Sequence, residues 1–155
     1  MATRPTFELD SHVFFWLTQV MGARDRRLNA GLKAFGLRVP EWRALAALYS
    51  RRQCTMSELA ELASIDRTTL TRTVDRMQEA GWLARAADGE DMRITRLALT
   101  PAGERLFTRV WPAVERLNDA AVAGLSPAML ERLRGMLAQM KSNLDEEPAA
   151  SERAA

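Results

Sequence analysis

The sequence is poor in the residues on which many enzymes and most secreted domains depend. It has one cysteine and one histidine in 155 residues. A single cysteine excludes a disulfide within the chain and is typical of a reducing compartment. The apolar runs, such as residues 13–17, are far shorter than the ~18 residues that a membrane span needs, and the N-terminus lacks the apolar segment of a signal peptide. We therefore expect a soluble, cytoplasmic protein that does not associate with membranes.

The motifs of the common enzyme classes are also missing. The chain has no glycine-rich phosphate-binding loop, no cluster of metal ligands and no Ser/His/Asp grouping at a suggestive spacing. A nucleophilic pair of Cys54 and His12 would have to form across about forty residues without a local signature. We predict that the protein is not an enzyme and that it carries neither a metal nor a cofactor.

Lysine is scarce as well, because the 22 basic residues are 20 arginines and 2 lysines. A guanidinium group binds phosphate and base edges with two parallel hydrogen bonds, which lysine cannot do. Residues 1–52 carry 9 basic and 4 acidic groups (net +5), and residues 53–96 carry 6 and 8 (net −2), within a chain of net charge +2. The net charge is therefore weak support for nucleic-acid binding. The positions of the arginines along the chain are the better evidence for or against such binding.

What the sequence does contain is helical periodicity over most of its length. Asp10 or Ser11 can cap a long first helix that ends at Gly36, and Pro40 suits the first turn of a second helix. The apolar positions of the first helix repeat at spacings of three and four: Val13, Phe14, Leu17, Val20, Met21, Leu28 and Leu32.

Two shorter helices follow. Thr55 and Glu58 form a capping box at the start of the first, and Asp66 caps the second, which runs to about Ala80 and is closed by Gly81. Because successive residues are 100° apart, one side of the second helix is apolar (Leu70, Val74 and Met77) and the opposite side is polar (Thr68, Thr69, Arg72 and Arg76).

The periodicity changes after this helix. Residues 82–85 and 94–100 are predicted strands, and the turn residues 88–91 between them indicate a β-hairpin. Thr100-Pro101 and Ser126-Pro127 then each begin a further helix. We expect residues 146–155 to form a disordered tail because they contain no large apolar residue.

A short helix, a tight break, a second helix and a hairpin are the outline of a winged helix-turn-helix. In that arrangement the second helix enters the DNA major groove. Thr68, Thr69, Arg72 and Arg76 are therefore our candidate major-groove contacts. The alternative is an ordinary solvated helix face, on which Asp75 and Glu79 would pair with the arginines.

The hairpin and its flanks resemble the MarR family of bacterial regulators. That family typically shows Asp-x-Arg, then Leu-x-Leu-Thr, then a glycine; here these are Asp91-Met92-Arg93, Leu97-Ala98-Leu99-Thr100 and Gly103. The resemblance extends over nearly the whole chain. It implies a mainly α-helical single domain with a small β-hairpin wing, in which residues 37–100 bind DNA and residues 10–36 and 101–145 form a helical dimerisation region.

The resemblance also implies roles in the wing. Arg93 would enter the minor groove and Asp91 would orient it, and an arginine there gains from the negative potential of a narrow groove. Arg96, on the returning strand, is a candidate phosphate contact. The family often has a second basic residue where this chain has Met92. The alternative for Arg93 is an ion pair within a solvated hairpin.

The last two helices carry more apolar surface than one small winged domain can cover. We therefore predict a two-fold homodimer on an inverted-repeat operator in double-stranded DNA, with an intramolecular helical bundle as the alternative. MarR-like proteins usually release DNA when a small aromatic or amphipathic anion binds between the dimer helices and the winged domain. Our candidate ligand contacts, which could equally be core residues, are His12, Trp16, Met21 and Trp42, with Arg24 or Arg43 as the carboxylate partner.

The resulting prediction is a MarR-type transcriptional regulator that acts as a repressor and responds to a ligand. The alternative is a winged-helix module that binds a protein, which the net negative charge of residues 53–96 favours. Cys54 is a further candidate, as a redox sensor, because Arg51 and Arg52 would lower the pKa of its thiol if they approach it.

Overall fold

The chain folds into α-helices and a small sheet in the computed structural model, which describes residues 7–87 and 95–146. Its six α-helices within these ranges are α1 Val13–Leu32, α2 Val39–Arg51, α3 Met56–Ala63, α4 Arg67–Glu79, α5 Pro101–Ala121 and α6 Pro127–Asp145. Its three strands there are β1 Gln53–Cys54, β2 Leu83–Ala87 and β3 Thr95–Leu99. The predicted fold class, mainly helical with a winged helix-turn-helix, is confirmed.

The sheet is antiparallel, with the strand order β1-β3-β2. Leu83 lies opposite Leu99 and Ala87 opposite Thr95, so the two predicted strands pair as a hairpin. The predicted turn at residues 88–91 and the start of the second strand at Ile94 lie outside the described residues. Strand β1 was not predicted, because a two-residue strand is too short to show a periodicity.

The starts of α3 and α4 follow the predicted capping chemistry. The Thr55 N–H donates to the Glu58 carboxylate at 2.7 Å, and the Glu58 N–H donates to the Thr55 hydroxyl at 3.3 Å. The Asp66 carboxylate accepts from the Thr69 N–H at 2.9 Å. These side chains satisfy amide groups that the first turn of a helix leaves without partners.

The predicted cap of α1 is wrong. The helix begins at Val13, after a 3-10 turn over Leu9–Ser11. The Ser11 hydroxyl donates backwards to the Glu8 carbonyl at 2.7 Å, and the Asp10 carbonyl accepts from the Trp16 indole N–H at 2.8 Å. His12 occupies the cap position and makes no side-chain capping bond.

The hydrophobic core joins α2, α3, α4, the sheet, the end of α1 and the first part of α5. Leu70, Val74 and Met77 are at most 1% exposed, as the helical pattern of α4 predicts. The predicted apolar stripe of α1 is only partly buried. Leu28 and Leu32 belong to the core, whereas several residues near the start are exposed: Val13, Phe14, Val20 and Met21.

The chain divides into two compact units, Met1–Leu117 and Asn118–Ala155, with the boundary inside α5. The first unit contains the winged helix-turn-helix. In the second, no residue of α6 is buried, and its large apolar side chains are mostly exposed: Met129, Leu133, Met136, Leu137 and Leu144. The predicted tail lies, apart from Glu146, outside the described residues. Within the described ranges no helix combines the length and apolarity needed to cross a membrane.

Candidate DNA interface and ligand pocket

The outward face of α4 begins at Thr68, two residues after the Asp66 cap. Hydrogen bonds from Thr69 hold the pKa of the Asp66 carboxyl below its ordinary value, so this cap is ionised at neutral pH. Thr68 and Arg72 are exposed and Thr69 is half-buried. Arg72 has no ion pair with any residue of the described ranges.

Arg76 is placed differently from the other three candidates. Its Nη1 lies 2.9 Å from Oε1 of Glu41 in α2, a carboxylate that is 3% exposed. Its Nη2 donates to the Gly36 carbonyl at 3.3 Å. The sequence places Arg76 on the polar face of α4, but the structure directs its guanidinium to α2.

Asp75 of α4 also pairs differently from the predicted alternative. Asp75 binds Arg85 of β2 at 2.6 Å, so it does not neutralise Arg72 or Arg76. The contact joins the end of α4 to the wing.

A cleft of about 210 Å³ lies between the start of α2 and α4. Arg38, just before α2, lines it together with Thr69 and Arg72. Arg38 is exposed, and sequence reasoning missed it. It precedes a helix instead of repeating along one, so periodicity gives no signal for it.

The wing residues are described only in part. Arg96 is half-buried on β3, and its Nη1 lies 3.8 Å from the Glu58 carboxylate of α3. Asp91 and Arg93, the predicted minor-groove pair, lie outside the described residues.

The structure explains why the MarR-like motif has a threonine at position 100 and a glycine at position 103. The Thr100 hydroxyl donates to the Gly81 carbonyl at 2.6 Å and accepts from the Gly103 N–H at 3.2 Å. The Thr100 N–H donates to the Trp82 carbonyl at 3.0 Å. A Cβ on Gly103 would lie 2.1 Å from that same carbonyl oxygen. These residues therefore hold the start of α5 against the segment that follows α4.

A cavity of about 460 Å³ brings together four of the six predicted ligand contacts: Met21, Arg24, Trp42 and Arg43. Arg51 of α2 and residues of α3 complete its lining. The other two predicted contacts do not line it. His12 stacks on Phe7 with ring centroids 4.7 Å apart, and Trp16 bonds to the carbonyl of Asp10.

The cavity is cationic. Asp25 of α1 lies 2.7 Å from Nη2 of Arg43 and 3.7 Å from Nη1 of Arg24. One carboxylate therefore faces two guanidinium groups, and Arg51 adds a third positive charge to the lining. An anion in the cavity would compete with Asp25 for these arginines.

Trp42, which is 4% exposed, contributes to the apolar side of the cavity together with Met21 and Leu62. Its ring stacks on Phe107 of α5 with centroids 5.4 Å apart and planes 6° apart. Phe107 in turn stacks on Tyr49 at 3.8 Å. The aromatic stack fixes the Trp42 ring, so the cavity offers a rigid apolar surface beside its charges.

The structure contradicts the expected activation of Cys54. The residue is 2% exposed. Burial, with a smaller contribution from the Glu58 carboxylate, raises the pKa of its thiol to about 11. The expected lowering by Arg51 and Arg52 is therefore wrong, because desolvation of the thiolate raises the pKa and the positive charge that opposes this effect is that of Arg96. Within the described ranges no cluster of three His, Cys, Asp or Glu side chains could hold a metal.

Comparison with known proteins gives one consistent result. Residues 35–94 match the MarR family. The HTH-type transcriptional repressor IacR of Pseudomonas putida is 31% identical over 139 residues, which cover 90% of this chain and 83% of IacR. A MarR family regulator from Silicibacter pomeroyi has a TM-score of 0.82 at 27% identity, covering 90% of this chain and 94% of that one. The structure of NadR in complex with 4-hydroxyphenylacetate has a TM-score of 0.79 at 26% identity, covering 88% and 97%.

The fold, the winged helix-turn-helix and these similarities define a DNA-binding transcriptional regulator. The chain belongs to the MarR family. Its relatives are transcriptional regulators and not enzymes, in agreement with the prediction from its residue inventory.

Proposed function

We propose that the protein is a ligand-responsive repressor that binds a palindromic operator as a homodimer. The observation that carries the proposal is the outward face of α4, where Arg72 is exposed and has no ion pair within the described ranges. A guanidinium group there, beside the hydroxyls of Thr68 and Thr69, can bind guanine or phosphate in the major groove.

Other basic residues extend this interface. Arg38 shares a cleft with Arg72 and suits a phosphate on the backbone beside the groove. Arg93, with Asp91, and Arg96 remain our candidates in the wing, for the minor groove and a phosphate respectively.

Exposed apolar surface supports the homodimer. Val13, Phe14 and Val20 of α1 are each more than half exposed, and so are Met136 and Leu144 of α6. Apolar surface of this extent usually marks an interface between proteins. A two-fold dimer that places two copies of α4 about 34 Å apart binds an inverted repeat. Residues 10–36 and 101–145 are the proposed dimerisation region.

The cationic cavity supports the ligand response. Its guanidinium groups suit a carboxylate and its Trp42 side suits an aromatic ring, so we propose a small aromatic carboxylate as the effector. NadR, which has the same fold, has been seen in complex with such a molecule, 4-hydroxyphenylacetate. The ligand would release DNA by binding more tightly to a dimer whose half-site spacing does not fit the operator.

The repressor role rests on kinship with IacR, which is named a transcriptional repressor. Repression would follow where the operator overlaps a promoter.

Fluorescence anisotropy with duplex DNA tests the proposal. The probes are a duplex that the protein selects from a random pool and a scrambled duplex of equal length, each titrated at several salt concentrations. We expect selective binding that weakens as salt rises and saturates at two chains per duplex. An aromatic carboxylate should then displace the protein. Absence of any selection would refute the proposal and favour the protein-binding alternative, which the net charge of −2 on residues 53–96 supports.

A further inference from the structure

Glu41 is the one charged residue that is buried within the described ranges, at 3% exposed. A carboxylate removed from water is costly unless charged or polar partners surround it. Its Oε2 accepts the N–H of Arg38 at 2.8 Å, which closes the first turn of α2. Its Oε1 faces Arg76 of α4 at 2.9 Å.

Arg76 holds two parts of the chain at once. Besides Glu41 it reaches the carbonyl of Gly36, the residue in left-handed conformation that ends the turn after α1. One guanidinium group therefore joins α4 to both sides of the connection between α1 and α2. We call the ion pair and its bond to Gly36 the Glu41–Arg76 clamp.

The clamp differs in kind from the other contacts between α4 and α2. Leu70, Val74 and Met77 bury the apolar side of α4, but apolar contacts are not directional and permit small rotations. The hydrogen bond from Arg76 to the Gly36 carbonyl is directional, and the Glu41 carboxylate, which pairs with Nη1 at 2.9 Å without a hydrogen bond, holds the guanidinium group in place by its charge.

We propose that Arg76 is a positioning residue, not a DNA contact, and that the Glu41–Arg76 clamp sets the rotation of α4 at which Thr68 and Arg72 meet base edges. The proposal rests on the proposed function, in which α4 enters the major groove. It replaces the role of direct DNA contact that the sequence suggests for Arg76.

The decisive variant is Glu41→Gln, because a buried side chain cannot touch DNA. Removal of a negative charge alone should strengthen binding to a polyanion. If the clamp positions α4, Glu41→Gln should instead weaken binding to the selected duplex by about tenfold, as expected for a misplaced base contact. Binding to the scrambled duplex should not weaken, since it needs only phosphate attraction.

Arg76→Gln and Arg72→Gln form a matched pair one helical turn apart. Arg76→Gln should lower the melting temperature by about 5 °C at fixed protein concentration, since it leaves a buried carboxylate without its cation. It should also weaken operator binding while the slope of log affinity against log salt stays unchanged. Arg72→Gln should leave the melting temperature unchanged and weaken binding to the selected duplex by about tenfold, with a much smaller effect on the scrambled duplex, as expected for the loss of a base contact. Binding is measured well below the melting temperature of every variant.

Three results would overturn the proposal. A reduced salt slope in Arg76→Gln would make Arg76 a phosphate contact. If Glu41→Gln and Arg76→Gln lower the melting temperature but leave operator affinity unchanged, the ion pair stabilises the fold and does not position α4. Additive effects of Glu41→Gln and Arg76→Gln on thermal unfolding would show that the two side chains are not coupled.

A variant that fails to fold and a wild-type protein that selects no duplex are both covered by the design. If Arg76→Gln does not fold, Arg76→Lys takes its place, because lysine keeps the charge without the fork and should restore stability more than operator selectivity. A wild-type protein that selects no duplex would refute the proposed function and the positioning role together. The unfolding cycle would still show separately whether the clamp exists.

Discussion

Substituting Gly103 by alanine should damage the junction between α5 and the wing. The added Cβ would lie 2.1 Å from the Trp82 carbonyl oxygen and 3.3 Å from Cδ2 of Leu99. Unstrained carbon and oxygen atoms stay more than ~3 Å apart, so helix and carbonyl must separate by about 1 Å. The carbonyl cannot simply swing away, because it accepts the Thr100 N–H at 3.0 Å.

Overpacking of this kind costs about 1–3 kcal/mol. For a chain of this length, the melting temperature should fall by about 2–12 °C, and the hydrogen bonds of Thr100 place the expected value in the upper half of that range. Differential scanning calorimetry at fixed protein concentration measures it. Operator affinity should also fall, because β3 and the start of α5 move relative to α4.

Gly31→Ala in α1 is the control, since a Cβ there would meet no atom within 4 Å. It should stabilise the helix by up to about 1 kcal/mol, because alanine loses less backbone entropy than glycine on folding. The steric argument would be refuted if Gly103→Ala melted at the wild-type temperature, or if Gly103→Ala and Gly31→Ala lowered the melting temperature by the same amount.

Three further predictions concern the interface, the cavity and the buried thiol. Arg72→Gln should weaken binding to the selected duplex by about tenfold and binding to the scrambled duplex much less, whereas Arg132→Gln on exposed α6 should change neither; anisotropy titrations measure both affinities, and an unchanged affinity of Arg72→Gln for the selected duplex would remove Arg72 from the interface. In calorimetric titration with an aromatic carboxylate that displaces the protein from DNA, Arg43→Gln should weaken binding about tenfold, and Asp25→Asn should tighten it by removing the carboxylate that competes for Arg43; a change of the same sign in both would contradict the assignment. Cys54, with a pKa of about 11, should be about one part in a thousand thiolate at pH 8 and should react with a thiol reagent only after unfolding. Because the folded protein holds the thiol proton more tightly than the unfolded chain, the free energy of unfolding should decline from about pH 9 to 11 more steeply in wild type than in Cys54→Ala.

Features set by neighbouring residues were predictable from the sequence. The capping box of Thr55 and Glu58 and the Asp66 cap each depend on residues three positions apart, so the pattern contains the whole interaction. The buried side of α4 follows from helical geometry in the same way. Four of the six predicted ligand contacts line one cavity, and their role in ligand binding stays a prediction.

Features that depend on distant residues were not predictable. The partner of Arg76 is 35 positions earlier (76 − 41), and no periodicity connects the two residues. The helical periodicity predicts the face of α4 on which a side chain lies. It does not predict the direction in which a long arginine side chain extends, or which other helix it contacts. The same holds for the Cys54 thiol, because its pKa depends on burial by β3 and α3 and not on Arg51 and Arg52 beside it.

The first turns of α2 show why single substitutions must be chosen with care in this protein. Successive helical residues diverge by 100°, so three neighbours serve three elements: Glu41 faces α4, Trp42 stacks on α5 and Arg43 pairs with α1. A substitution that moves this turn would disturb the recognition helix, the core and the cavity together. The informative substitutions therefore either keep the shape of the side chain, as Glu41→Gln does, or lie at the far end of each contact, at Arg76 and Asp25. Separate effects from those distant positions would show that α2 connects the cavity to the DNA-binding helix through distinct side chains, whereas identical effects would show only that the turn is needed for folding.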